Sequence, residues 1–176
     1  QYLCGDGIIV SGADALSRQA DPYACMLQPF VFQHIWSGFG PLQVDVWASE
    51  SARQSSPVGN LLPCVSPFCV PGRLAADALS FVDKTKRLYA FPPANMLGKY
   101  IEFVVRHKQP VVLVVPRWIS RSWYAVLVQF GSKWLELGKV SEVIKQDTPR
   151  SHPFGRDFNH EEAMNTVLWA VSLFSV

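Results

Sequence analysis

Two hydrophobic periods follow one another between residues 87 and 115, and this succession constrains the fold more than any other feature of the chain. Leu97, Tyr100, Ile101, Val104 and Val105 recur at i, i+3, i+4, i+7 and i+8, one stripe of an amphipathic helix running from Asn95 to about Lys108. Val111, Val112, Leu113, Val114 and Val115 then form an unbroken, mostly β-branched run, as expected of a strand covered on both faces of a parallel sheet. Upstream, residues 87–91 read as a second strand, closed by Pro92 and Pro93 because proline donates no hydrogen bond to a ladder. Strand, helix and strand in that order form a crossover unit. The expected fold class is therefore α/β, a Rossmann-like, mostly parallel sheet with flanking helices.

The rest of the chain extends this pattern. Leu27, Phe30, Val31, Ile35 and Trp36 stand at near-helical spacing before Gly38 and Gly40, and Val44, Asp45, Val46 and Trp47 read as a strand. Residues 49–57 suit a polar helical turn, and residues 57–72, with four prolines, suit a loop. Residues 123–130 and 134–137 are apolar enough for either strand or helix. Asn159 with Glu162 three residues on forms a capping-box pattern for a helix carrying Met164, Val167, Leu168 and Val171 on one face.

Composition excludes several classes. Sixteen Lys and Arg against 14 Asp and Glu leave a net charge of +2, too small to imply a nucleic-acid partner by itself. The apolar runs 111–115 and 167–176 fall short of the ~20 residues of a membrane span, so a soluble chain without membrane contact is expected. The N-terminal residues have none of the charged start, apolar run and small-residue cleavage site of a secretory signal, so Cys4, Cys25, Cys64 and Cys69 are expected to be reduced thiols in an intracellular protein of the cytoplasm or nucleus. Cys64 and Cys69 lack a second pair at metal-ligand spacing, so no metal is expected. The chain starts at Gln1 without Met, as a piece of something longer would.

In an open α/β sheet, ligands bind beyond the carboxyl ends of the strands. That places residues 45–48, 91–93 and 116–118 on the rim of one crevice, although each stretch is also ordinary strand-end punctuation. Across residues 32–124, the stretches Phe39-Gly40-Pro41, Val44-Asp45-Val46-Trp47-Ala48-Ser49, Asp77-Ala78-Leu79, Tyr89-Ala90-Phe91-Pro92-Pro93, residues 111–116 and Trp123-Tyr124 occur in order. Together they resemble the methyltransferase-like region of DIRS-type retrotransposon polyproteins, which is similar to the phage Dam family of DNA N-6-adenine methyltransferases.

Tyr2-Leu3-Cys4-Gly5 and Ala13-Asp14-Ala15-Leu16-Ser17-Arg18 resemble the closing segment of a retroelement ribonuclease H, in which Asp14 would be a metal-binding carboxylate. The usual Asn before the Ala-Asp pair is missing, and one carboxylate cannot hold a two-metal site. The resulting division is a ribonuclease H remnant and linker over residues 1–22, a methyltransferase-like domain over 23–146, and a loop with a C-terminal helix over 147–176.

The resemblance implies a catalytic tetrapeptide of Asn or Asp, two prolines and an aromatic. The polar residue accepts from the exocyclic amine and the ring stacks on the extruded base. Here the tetrapeptide is Phe91-Pro92-Pro93-Ala94, so both the acceptor and the ring are replaced. Asp45 matches an acid of the family, which makes Asp45, Trp47 and Ala48 the positions that would face AdoMet in an active enzyme. No G-x-G-x-x-G loop accompanies them, since Gly38-Phe39-Gly40 stands alone.

The expectation is a degenerate AdoMet-dependent methyltransferase without a cofactor. It would serve a reverse transcriptase and ribonuclease H polyprotein in nucleic-acid handling or architecture, with DNA and other parts of that polyprotein as partners. The rival is an active DNA adenine N-6-methyltransferase using AdoMet. Arg117, Trp118, Arg121, Trp123 and Tyr124 interleave basic and aromatic residues as single-strand binders do, or else the rings simply pack on the sheet. His160-Glu161-Glu162 has Met at position 164 and cannot be an H-E-x-x-H zinc motif. Lys84, Lys86 and Arg87 read as a solvated turn, and nothing in the sequence addresses oligomeric state.

Overall fold

The computed structural model describes residues 26–48, 52–65, 77–145 and 159–175. The first strand, β1 (Met26–Leu27), leads into α1 (Pro29–Phe39), and β2 (Val44–Val46) and β3 (Cys64–Val65) follow. Next come β4 (Leu88–Ala90), α2 (Ala94–His107) and β5 (Val111–Pro116). The chain then forms α3 (Ser122–Phe130), β6 (Gly131–Lys139), the single turn α4 (Val140–Val143) and β7 (Ile144–Lys145). It ends in α5 (His160–Asn165) and β8 (Val167–Leu173).

A six-stranded sheet with the order β3-β2-β4-β5-β8-β6 forms the centre, and β1 pairs with β7 in a separate antiparallel ribbon. The β2–β3, β2–β4 and β4–β5 pairs are parallel. Strand β8 runs against both its neighbours, β5 and β6. The expected mixed α/β architecture with a mostly parallel sheet is present, and the runs 44–46, 88–90 and 111–115 share that sheet.

Strand alternation explains why β5 is apolar throughout. Val111, Leu113 and Val115 join the cluster containing Leu97, Tyr100, Ile101 and Val104 of α2, whereas Val112 and Val114 join the one containing Val31, Phe32 and Ile35 of α1. Helices thus cover both faces, and each such buried side chain contributes about 1.5–3 kcal/mol relative to exposure. On the α1 face Phe32 meets Tyr89 edge to face at 5.0 Å. Helix α2 keeps Lys99 and Arg106 in solvent as its period requires, while Val105 is half-buried rather than core.

Several expectations need correction. The helix begun by Asn159, whose side chain accepts the Glu161 N–H at 3.0 Å, stops at Asn165 instead of continuing through Val171. Thr166 Oγ1 donates back to the Glu162 carbonyl, and residues 167–173 become β8. An unpaired edge of β5 demands a partner, and β8 meets it, with Leu168 and Ala170 joining the core on one face and Val171 and Leu173 on the other. Residues 167–173 therefore belong to the same sheet as β2, β4 and β5 and form no C-terminal helix.

The proline-rich loop contains a strand, because Cys64 and Val65 pair with Asp45 and Val46. Leu27 lies in β1, not in α1, whose first residue is the proline favoured there. Residues 55–61 form a turn closed by a Ser55–Leu61 bridge, while Ala52, within the stretch expected to be helical, lies in a 3-10 turn and residues 49–51 lie outside the described residues. Arg87 is no free surface cation: its guanidinium donates to the Phe39 carbonyl at the end of α1, where Lys133 also donates to Gly38.

Candidate functional site

The strand order reverses direction between β2 and β4. The chain leaves β2 toward β3 on one side, while β4 continues through α2 to β5 on the other. Such a switch point opens a crevice at the carboxyl ends of the two strands. Residues 45–48 follow from β2 and Phe91, Pro92, Pro93 and Ala94 from β4, so the two sequence-predicted stretches are neighbours on this rim. Proline at positions 92 and 93 ends β4 at Ala90, and α2 begins at Ala94.

The chemistry of this rim is weak. Phe91 and Ala94 are packed against the α1-side core, so the rim presents hydrocarbon at both positions. Asp45 is 2% exposed, and its Oδ2 accepts the backbone N–H of the buried Gln54 at 2.8 Å. Desolvation pushes its pKa up to about 8, against smaller lowering contributions from that hydrogen bond and from Arg53. At neutral pH the carboxyl is mostly protonated and fastened to its own loop.

Trp47 lies beyond the strand in a left-handed backbone conformation, φ 75°, and stands edge-on to Tyr100 at 5.6 Å. Its indole N–H is buried with no hydrogen-bond acceptor among the described residues, and Ala48 is buried. A strained aromatic at a switch point is the kind of outlier that marks a site. Among the described residues no group of three His, Cys, Asp or Glu side chains could hold a metal ion. Asp14, Cys4, Cys25 and Cys69 lie outside the described residues, whereas Cys64 is buried in β3.

A second constellation is built beyond β5. The segment 117–133 carries Arg117, Arg121 and Lys133 and no acid. Arg117 and Arg121 are exposed, and the Arg121 guanidinium lies 5.5 Å from the Trp118 ring centroid, a cation–π contact. From Trp118 the rings run on to Trp123 at 6.4 Å, Tyr124 at 6.1 Å, Trp134 at 5.9 Å and Trp169 at 6.3 Å. All five are half-buried. The predicted residues Arg117, Trp118, Arg121 and Trp123 are thus brought together at one end of a continuous aromatic row.

Sequence reasoning missed Trp134 and Trp169. They join the row because β6 pairs with β8 and α3 turns into β6 without a loop, and neither contact is local. Tyr124, Trp134 and Trp169 with Arg117 and Val128 line a depression of about 270 Å³. Its only sequence signal was the number of tryptophans, six in all, with Trp134 and Trp169 outside every motif singled out for function. Comparison with known protein families, curated proteins and solved structures returns no match to the chain. No helix among the described residues is long and apolar enough to cross a membrane.

Proposed function

We propose that this chain is a methyltransferase-like module of a retrotransposon polyprotein that no longer transfers methyl groups and handles nucleic acid through its aromatic row. The observation that carries this reading is the position of Phe91-Pro92-Pro93-Ala94. The tetrapeptide stands at the switch point, where an α/β sheet places its chemistry, yet its two decisive side chains are half-buried hydrocarbon packed against the core.

Asp45 supports the loss of cofactor binding. A carboxyl that is protonated near neutrality and held by Gln54 offers little to the hydroxyls of an AdoMet-like ligand. The arginines and the rings of Trp118 and Trp123 retain what a single-strand binder needs, cations for phosphates and π-faces for bases.

Two measurements test the reading together. Calorimetric titration with AdoMet should give no heat of binding. Single-stranded DNA should bind with an affinity that falls steeply with salt. Saturable AdoMet binding coupled to adenine methylation would establish the rival enzyme, and salt-independent or undetectable DNA binding would leave only an architectural role within the polyprotein.

A further inference from the structure

We infer that the depression between α3 and the β6–β8 pair is a seat for one nucleobase of single-stranded DNA, with Arg117 holding the adjoining phosphate. This rests on the nucleic-acid reading above and adds a place and a stoichiometry to it. Tyr124, Trp134 and Trp169 supply three ring faces, with Trp134 inclined at 49° to Tyr124 and 73° to Trp169. Rings so inclined make a concave wall instead of a flat shelf, and a planar ligand enters it edge first against one ring while lying on another.

Size and charge narrow the occupant. At about 270 Å³ the depression is smaller than the roughly 300–1,000 Å³ of sites that enclose drug-sized ligands, so it fits a base and not a whole nucleotide. Arg117 on its rim disfavours an organic cation, which would otherwise suit an aromatic box, and favours an anion attached to the ring system. The register sets Glu136 opposite Trp169. Its carboxylate shares that sheet face and interrupts any continuous phosphate rail along β6, as duplex DNA would need. Val128 on α3, 61% exposed, completes the apolar lip.

Fluorescence titrations of the intact protein separate this proposal from the broader one. The probes are oligothymidylate of eight nucleotides, an octamer of the same backbone without bases, and a duplex of the same length. Oligothymidylate should bind about ten-fold more tightly than the base-free octamer and quench tryptophan emission, since stacking contributes substantially per base. Tyr124→Leu should lower the oligothymidylate affinity to the base-free value and leave base-free binding unchanged. Because that variant could also disturb α3, its melting curve is recorded, and the comparison of probes on the unaltered protein stands without it.

If oligothymidylate and the base-free octamer bind the unaltered protein equally, or if the duplex binds best, the seat is refuted. If Tyr124→Leu binds like the parent while Arg121→Ala with Trp123→Leu does not, the seat is refuted and the nucleic-acid reading stands. Absence of binding to every single-stranded probe refutes both.

Discussion

The carboxyl of Asp45 and the backbone N–H of Gln54 meet at 2.8 Å inside the protein, tying the loop that follows β2 to the strand itself. Burial lifts the Asp45 pKa from 3.8 to about 8, so the folded protein keeps a proton that the unfolded chain releases between these values. The stability associated with that proton is fully present below about pH 4 and is lost as pH rises to 8, a change on the order of a few kcal/mol. Asp83, whose pKa is lowered chiefly by the hydrogen bond from the Thr85 side chain, acts in the opposite sense at more acid pH. Urea midpoints should therefore be higher at pH 5 than at pH 8.5. Asp45→Asn, which keeps an oxygen for Gln54, should flatten that slope, and an unchanged slope in the variant would assign it to other groups.

Helix α2 tests the packing of the sheet. Ile101 is fully buried between α2 and the strands, so Ile101→Ala should cost about 2–5 kcal/mol in chemical denaturation. Lys99→Ala, on the exposed side of the same helix, should stay within about 0.5 kcal/mol of the parent. Equal effects at the two positions would contradict the placement of the helix.

These two residues also illustrate what was legible in the sequence. A strand buried on both faces must be apolar at every position, and a helix on one face must be apolar at every third or fourth, so 97–115 could be read without knowledge of its neighbours. Strand β8 was not legible, since Met164, Leu168 and Val171 satisfy a helical period while residues 168–171 also alternate between the two faces of the sheet. Only the unpaired edge of β5 decides between them, and that is a tertiary fact. The same holds for the site. Arg117, Trp118, Arg121 and Trp123 are close in sequence and were recognisable, whereas Trp169 reaches Trp134 through strand register alone.

Gly131 controls how closely α3 and β6 can approach. A Cβ placed there would lie 2.6 Å from the Leu127 carbonyl oxygen, 2.9 Å from Val171 and 3.0 Å from the Trp134 indole nitrogen. Backbone at 2.6 Å cannot give way as a flexible side chain would, so Gly131→Ala should destabilise the protein by about 1–3 kcal/mol. It should also shift Trp134 relative to Tyr124 and so alter tryptophan emission in the folded state. A variant with parental stability and emission would show that the α3–β6 junction is looser than this geometry.

On the proposed reading Phe91 replaces an amine acceptor, and this yields the chemical prediction. Purified protein incubated with AdoMet and adenine-containing DNA should transfer no methyl groups above a heat-killed control. A polar contact made in the transition state is worth about 3–4 kcal/mol, or 10²–10³ in rate, and phenylalanine cannot make it. Phe91→Asn alone should not restore transfer, because Ala94 still leaves the base without a ring and the Asp45 carboxyl stays engaged with Gln54. Phe91→Asn with Ala94→Tyr is the fairer trial of the scaffold. Since Phe91 and Ala94 both pack against the α1-side core, a melting curve must show that the pair folds before its silence is interpreted. Methylation by the unaltered chain would overturn the decayed-enzyme reading outright, whereas methylation by the folded double variant only would place the loss in these two side chains and leave the rest of the cofactor site competent.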